Sequence, residues 1–234
     1  MTWAKICGVT NLEDAQVAVD AGADAVGFVF YEKSPRNVGV DTAQEIIESL
    51  PVSMEKVGVF VSPTPQIGEI ARRVGLTAIQ LHMTLPAISS DGAVAKARQE
   101  LIAHGMGLAF GEVRVYLALP AAIFVNGTTQ WNSSRRGLPG IHAIFLDSST
   151  PQQPGGTGKT FDWTHASPTV STLAEQTKVV IAGGLTFANV GDAIRILKPW
   201  GVDVASGVER QPGKKDPEKV RAFVKAVREA DKSA

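Results

Sequence analysis

Apolar residues in this chain come in short, nearly unbroken runs, and the stretches between the runs carry a helical period. Residues 25–30 (AVGFVF), 56–61 (KVGVFV), 77–82 (TAIQLH), 143–146 (AIFL), 179–182 (VVIA) and 202–205 (VDVA) are such runs. Strands of a parallel sheet covered on both faces read this way. Residues 3–7 and the loosely alternating 113–119 bring the predicted strands to eight. Between them, Thr10 opens a helix with Glu13 at capping-box spacing, Leu12, Ala15 and Val19 form its apolar face, and Gly22 suits its end. Asp41 caps a second helix holding Ile46, Ile47 and Leu50, and Pro51 stops it. A third runs over about residues 65–74 to Gly75. Thr186 opens another, with Val190, Ile194 and Leu197, closed by Pro199. The last begins at Asp216-Pro217, an N-cap followed by proline at the first helical position, and lays Val220, Phe223, Val224 and Val227 on one face.

A glycine closing a helix just before a strand recurs in Gly22-Ala-Asp-Ala-Val, Gly75-Leu-Thr-Ala-Ile and Gly201-Val-Asp-Val-Ala, a βα repeat. Strand–helix alternation predicts the α/β class with a parallel sheet. Spreading 234 residues over eight units gives about 29 each, which suits a closed (β/α)8 TIM barrel spanning 1–234 as a single domain. An open doubly wound sheet is the rival, but Cys7-Gly8-Val9-Thr10 follows the first strand where that fold expects G-x-G-x-x-G. The pattern weakens from 83 to 142: a helix is predicted over 93–103, an irregular loop over 126–140, and an irregular or expanded region around 89–142.

Composition narrows the function classes. The chain is 44% apolar, enough for a real core, and Lys plus Arg equals Asp plus Glu at 23 each, so no basic field exists for nucleic acid. Cys7 is the sole cysteine, which favours a reducing, cytoplasmic setting over a secreted one. The N-terminus has no signal-peptide core, and the most apolar stretch, 115–125, is too short to span a bilayer. A small-molecule substrate is expected, with no membrane and no nucleic-acid partner.

Polar residues gather at the strand C-termini: Cys7, Arg36 just beyond the second strand, Gln80 and His82, Asp147, Gly183-Gly184, Asp203 and Ser206-Gly207. In a barrel those ends share one face, where active sites are built. The stretch 144–163 (IFLDSSTPQQPGGTGKTFDW) sets Asp147 beside a loop in which Gly155, Gly156, Gly158 and Lys159 can offer bare N–H groups and a cation to an anion. A nucleotide P-loop needs glycine five residues before Gly158, where Gln153 stands. A simpler phosphate site remains, balanced against a plain surface loop; Gly183-Gly184 and Ser206-Gly207 at the next two strand ends tip the balance. Taken singly, Cys7 reads as a small buried hydrophobe. Asp147 is a turn cap or an inward acid, Arg36 a solvated residue or a carboxylate clamp, and His82 more often structural than catalytic. No metal-ligand spacing is present.

Taken together, Lys5-Ile6-Cys7-Gly8-Val9-Thr10, Gly27-Phe28-Val29-Phe30 with Lys33-Ser34-Pro35-Arg36, Gln80-Leu81-His82, Leu146-Asp147-Ser148, Gly155 to Trp163, Gly183-Gly184-Leu185 and Ser206-Gly207-Val208-Glu209 resemble phosphoribosylanthranilate isomerase, a (β/α)8 family of tryptophan biosynthesis. The motifs run in family order from the first strand to the last. The resemblance implies an Amadori rearrangement of N-(5-phosphoribosyl)anthranilate without cofactor or metal; the expected assembly is open between monomer and homodimer. It implies that Asp147 is the general acid, Cys7 the general base and Arg36 the holder of the anthranilate carboxylate. It also implies that Asp203 lies near the sugar hydroxyls, that Gln80 and His82 line the pocket, and that Gly155, Gly156, Gly158, Gly183, Gly184, Ser206 and Gly207 bind phosphate. The acid must start protonated and the thiol deprotonated, opposite demands within one pocket. The related isomerase of histidine biosynthesis, a phosphate-binding barrel without turnover and a P-loop hydrolase are the alternatives.

Overall fold

The computed structural model describes residues 1–61, 64–82, 113–122, 140–148 and 159–232. In chain order the elements are β1 (Trp3–Cys7), α1 (Leu12–Asp20), β2 (Ala25–Val29), α2 (Val40–Glu48), β3 (Glu55–Phe60), α3 (Gln66–Val74), β4 (Ala78–His82), β5 (Arg114–Pro120) and β6 (Ala143–Asp147). There follow α4 (Trp163–Ala174), β7 (Lys178–Ile181), α5 (Val190–Leu197), β8 (Gly201–Val204), a 3-10 turn (Ser206–Val208), β9 (Glu209–Gln211), β10 (Lys214–Lys215) and α6 (Pro217–Lys232). Strands β1 to β8 pair in sequence order and close into one parallel barrel, with β1 against β8 at the seam. Each of the eight strands starts and ends within one residue of its predicted run. The fold is a single-domain (β/α)8 TIM barrel. No helix among the described residues is long and apolar enough to cross a membrane. The predicted helix at 93–103 and nearly all of the predicted loop at 126–140 lie outside the described residues.

Side chains alternate across each strand. One set (Ile6, Phe28, Ile79, Leu117, Leu146 and Ile181 among others) faces outward and joins the core formed with the helices. The other set (Val57, Ala78, Tyr116, Ala118, Phe145 and Val180 among others) fills the barrel interior. Trp3 plugs the N-terminal end, stacked on Trp200 at 5.0 Å and edge-on to Tyr116 and Phe145 at 6.1 Å each.

Three local expectations need correction. The first helix is capped by Asn11, whose Oδ1 accepts from Asp14 N at 2.9 Å, while Thr10 Oγ1 instead donates to Gly213 O at 2.6 Å. The capping spacing was right one residue further along. Asp14, Ala15 and Ala18 are the buried residues of the helix, while Leu12, expected on its apolar face, is exposed. Helix α2 starts from Gly39 without a side-chain cap, and Asp41 lies in its first turn, paired with Arg73. Helix α4 and the β9–β10 ribbon were not predicted.

Helix α6 closes the molecule onto the first strand. Thr2 donates from its N–H at 3.0 and 2.9 Å to the two Asp231 oxygens, and from its hydroxyl at 2.6 Å. Arg228 donates to Thr2 O and to Asp24 Oδ2, the latter at 2.8 Å. Partial burial works to raise the Asp231 carboxyl, but the Thr2 hydrogen bonds outweigh it and hold the group below its ordinary range. A carboxyl depressed in the folded state stabilises the protein above its unfolded pKa, about 3.9, and loses that contribution as pH falls. Asp231→Asn should therefore lower the urea midpoint at pH 7, and the gap from the parent protein should close below about pH 4. A gap of constant size across that range would remove the ionised carboxylate from the account.

Candidate active site

The period of two that fills the barrel also selects the residues at its mouth. Cys7, Gln80, His82, Asp147 and Asp203 have the parity of the interior set and stand at or near the C-terminal ends of β1, β4, β6 and β8. Cys7 and Asp147 are each 8% exposed and Asp203 is 7% exposed. Along the barrel β6 is reached from β1 through β8 and β7, so Cys7 and Asp147 oppose each other across the mouth.

Lys5 lies one inward position below Cys7 and is fully buried. Its Nζ is 3.0 Å from Asp203 Oδ1, and its register partner across the seam is Asp203 itself. Gly27 on β2 leaves room for both β1 side chains: a Cβ there would stand 2.9 Å from Cys7 Sγ and 3.1 Å from Lys5 Nζ. Burial works to lower the Lys5 pKa, but Asp203 and the thiol outweigh it and the group is raised, so the ammonium is kept. Burial pushes the Cys7 thiol up, with Lys5 the largest opposing influence. Lys5 shares the strand parity of Cys7, but its carboxylate partner lies 198 residues away and leaves no local signal in the sequence.

Gln80 Nε2 is 3.0 Å from His82 Nε2. Burial, and then the charge of Lys5, lower the His82 pKa to about 4, so the ring is neutral. Gln80 Oε1 is buried with no hydrogen-bond partner among the described residues, a free acceptor on an inward-facing side chain.

Arg36 is not a solvated loop residue. The loop after β2 is pinned by the Val29–Asn37 bridge and by Ser34 Oγ accepting from Arg36 N at 3.1 Å. The guanidinium makes a two-pronged ion pair with Glu209, Nε to Oε1 at 2.8 Å and Nη2 to Oε2 at 2.7 Å. Its stem crosses Gly8, which has φ +77°; a Cβ there would be 2.6 Å from Arg36 Cδ. Sequence reasoning gave Glu209 no role and passed over Lys215, whose ammonium is buried against the same carboxylate.

The loops after β6, β7 and β8 meet. A Cβ on Gly183 would be 2.2 Å from Ser148 Oγ, one on Gly184 2.3 Å from Lys159 C, and one on Gly207 1.9 Å from Leu185 O. Both described ends of the glycine loop, Ser148 and Lys159, thus sit against Gly183-Gly184, with Ser206-Gly207 beside them in the 3-10 turn. Gly155, Gly156 and Gly158 lie outside the described residues, as do residues 149–150 of the turn that Asp147 would cap in its alternative reading. Among the described residues no group of three or more His, Cys, Asp and Glu side chains is arranged to hold a metal ion.

The architecture and its residues have close counterparts. The family model of N-(5′-phosphoribosyl)anthranilate isomerase matches residues 4–99 and 124–226. An N-(5′-phosphoribosyl)anthranilate isomerase of Chlorobaculum parvum is 43% identical over 237 residues, covering 99% of this chain and 97% of that protein. The crystal structure of phosphoribosyl anthranilate isomerase from Thermotoga maritima superposes with a TM-score of 0.74 at 35% identity, over 98% of this chain and 100% of that one. A phosphoribosyl anthranilate isomerase in complex with reduced 1-(o-carboxyphenylamino)-1-deoxyribulose 5-phosphate superposes at 0.72 with 33% identity, again over 98% and 100%.

Gly8 joins the thiol strand to the guanidinium, so Gly8→Ala should strain a left-handed residue and displace Arg36 together. We expect a stability loss of about 1 kcal/mol or more in urea unfolding, accompanied by weaker substrate binding. A variant with the parent's midpoint and the parent's KM would show that this contact is inconsequential.

Proposed function

The chain belongs to the phosphoribosylanthranilate isomerase family, and on that premise we propose that Cys7 and Asp147 drive its conversion of N-(5-phosphoribosyl)anthranilate to 1-(2-carboxyphenylamino)-1-deoxyribulose 5-phosphate. One observation carries the assignment. A thiol and a carboxyl group 140 positions apart both face inward at the C-terminal rim, with Gly183-Gly184 packed against Ser148 and Lys159 and Gly207 against Leu185 beside them.

The chemistry runs as two proton transfers on one substrate. Asp147 gives its proton to the ribose ring oxygen, the C1′–O bond breaks, and the anilino nitrogen's lone pair forms the iminium. Cys7 as thiolate then removes the C2′ proton, and the electrons of that C–H bond move to give the enolamine. Tautomerisation of the enolamine yields the ketone product. Gln80 Oε1, unpaired and buried, is suited to accept from a substrate hydroxyl or N–H, and Asp203 to accept from the sugar. The neutral ring of His82 can do either without adding charge. The phosphate fits the junction of the loops after β6, β7 and β8, where Gly183-Gly184 packs against Ser148 and Lys159; glycine backbone there can turn N–H groups toward an anion, and Lys159 adds a cation. The free edge of Arg36 meets the anthranilate carboxylate. A cytoplasmic location goes with this reading, and the single cysteine, which must stay reduced to act, supports it.

Acid–base groups of this kind contribute roughly a hundredfold or more each. Cys7→Ala and Asp147→Asn should each lose turnover on that scale in the fluorescence assay of freshly generated substrate, while still binding the reduced product analogue. Full activity in either variant would end its assignment. Lys5 works to hold the thiol's pKa down, so its removal moves that pKa up. The rise of kcat/KM with pH should therefore shift to higher pH in a folded Lys5→Met variant; an unmoved profile would separate Lys5 from the base.

A further inference from the structure

We infer that Glu209 is a positioning residue for substrate recognition, holding the Arg36 guanidinium so that its outer edge alone is presented to the substrate's carboxylate. The inference rests on the clamp assignment of Arg36 and names the group that makes the clamp directional.

A guanidinium can form a two-pronged contact along more than one edge. Glu209 occupies the edge made by Nε and Nη2, at 2.8 and 2.7 Å. Arg36 Nη1 has no hydrogen-bond partner among the described residues. The edge made by Nη1 and the second hydrogen of Nη2 is thus the one left for a ligand, and its direction is fixed by where Glu209 sits.

Glu209 is itself fixed. Its Oε1 also accepts from Lys215 Nζ at 3.0 Å and from Gly213 N at 3.3 Å, and its backbone O accepts from Lys219 Nζ at 2.9 Å. Lys215 is fully buried and donates as well to Cys7 O at 2.6 Å and Ala205 O at 3.3 Å. The ribbon that carries both residues is tied to the barrel by Thr10 Oγ1 on Gly213 O and by Lys215 N on Asp14 Oδ2 at 2.9 Å. The same lysine therefore holds the backbone of the thiol residue and the carboxylate that aims the guanidinium. Charge enters as well. Arg36 and Lys215 bring two positive charges and Glu209 one negative, so the cluster offers one net positive charge to one carboxylate.

The test uses the purified full-length chain and two ligands: the reduced product analogue and the same compound lacking the aryl carboxylate. Glu209→Gln keeps the size of the side chain but turns one acceptor into an N–H donor facing Arg36. It should weaken the carboxylated analogue roughly tenfold and leave the other ligand unchanged. With phosphoribosylanthranilate, KM should rise while kcat stays within about twofold. In an Arg36→Ala background, Glu209→Gln should add nothing. If Glu209→Gln does not fold, Glu209→Asp, which keeps the charge one methylene short, should show the same selective loss more weakly. Equal weakening of both ligands, a fall in kcat alone, or no change would overturn the inference. Arg36→Ala reports separately on the clamp: if it fails to discriminate between the ligands, the clamp assignment is the error.

Discussion

Barrel closure sets Lys5 opposite Asp203 at the seam between β1 and β8, and the mouth is built around the buried ion pair that results. Taking an ammonium and a carboxylate out of water costs several kcal/mol per ion, and an apolar pair of similar volume is often as stable. Stability alone is thus a weak reason for the pair. Its location supplies a better one. Lys5 has three protons to donate, one is directed at Asp203, and the Cys7 thiol is close enough to interact with another. Gly27 on the neighbouring strand is the space in which this contact fits.

The pair also defines the electrostatic problem that the rest of the site solves. The base proposed at Cys7 must ionise where burial opposes ionisation, and an anionic substrate adds to the opposition. Nearby cations favour the thiolate. Each cation nearest the thiol is itself paired with a carboxylate, Lys5 with Asp203 and Lys215 with Glu209, which it shares with Arg36. His82 is kept neutral by burial and Lys5, so the pocket gains a polar surface there without a further charge.

How much of this was legible in the sequence follows from how local each signal is. Strands covered on both faces have to be apolar at both parities, so runs such as AVGFVF and VVIA mark themselves. Once eight of them close, parity and the C-terminal rim assign Cys7, Gln80, His82, Asp147 and Asp203 to one surface. Helix α4 was missed because its residues, THASPTVST, are poor helix formers with a proline inside; Ala166, Val170 and Leu173, buried at helical spacing, supply by packing what propensity does not. The ribbon was missed because ERQPGKK has neither alternation nor apolar content, and its order comes from contacts to Thr10, Asp14 and Arg36. The Asn11 cap was misplaced by one residue because Thr10 and Asn11 both qualify chemically, and only the pull of Gly213 on the Thr10 hydroxyl separates them.

The unpredicted ribbon also answers a geometric difficulty of the fold. At the rim of a barrel the strands diverge into loops, and their last carbonyls lose the neighbouring N–H groups that would donate to them in the sheet. Cys7 O and Ala205 O, at the ends of β1 and just past β8, are in this position at the seam. A buried polar group left unpaired costs about 1–3 kcal/mol, and a mobile strand end would spoil the placement of the thiol. One lysine inserted from outside the barrel satisfies both carbonyls. Its charge then needs an anion, and Glu209 is that anion. Glu209 in turn has oxygen lone pairs to spare, and these take the Arg36 guanidinium. Each contact follows from the one before it, and the series ends at the Arg36 guanidinium, held along one edge by Glu209.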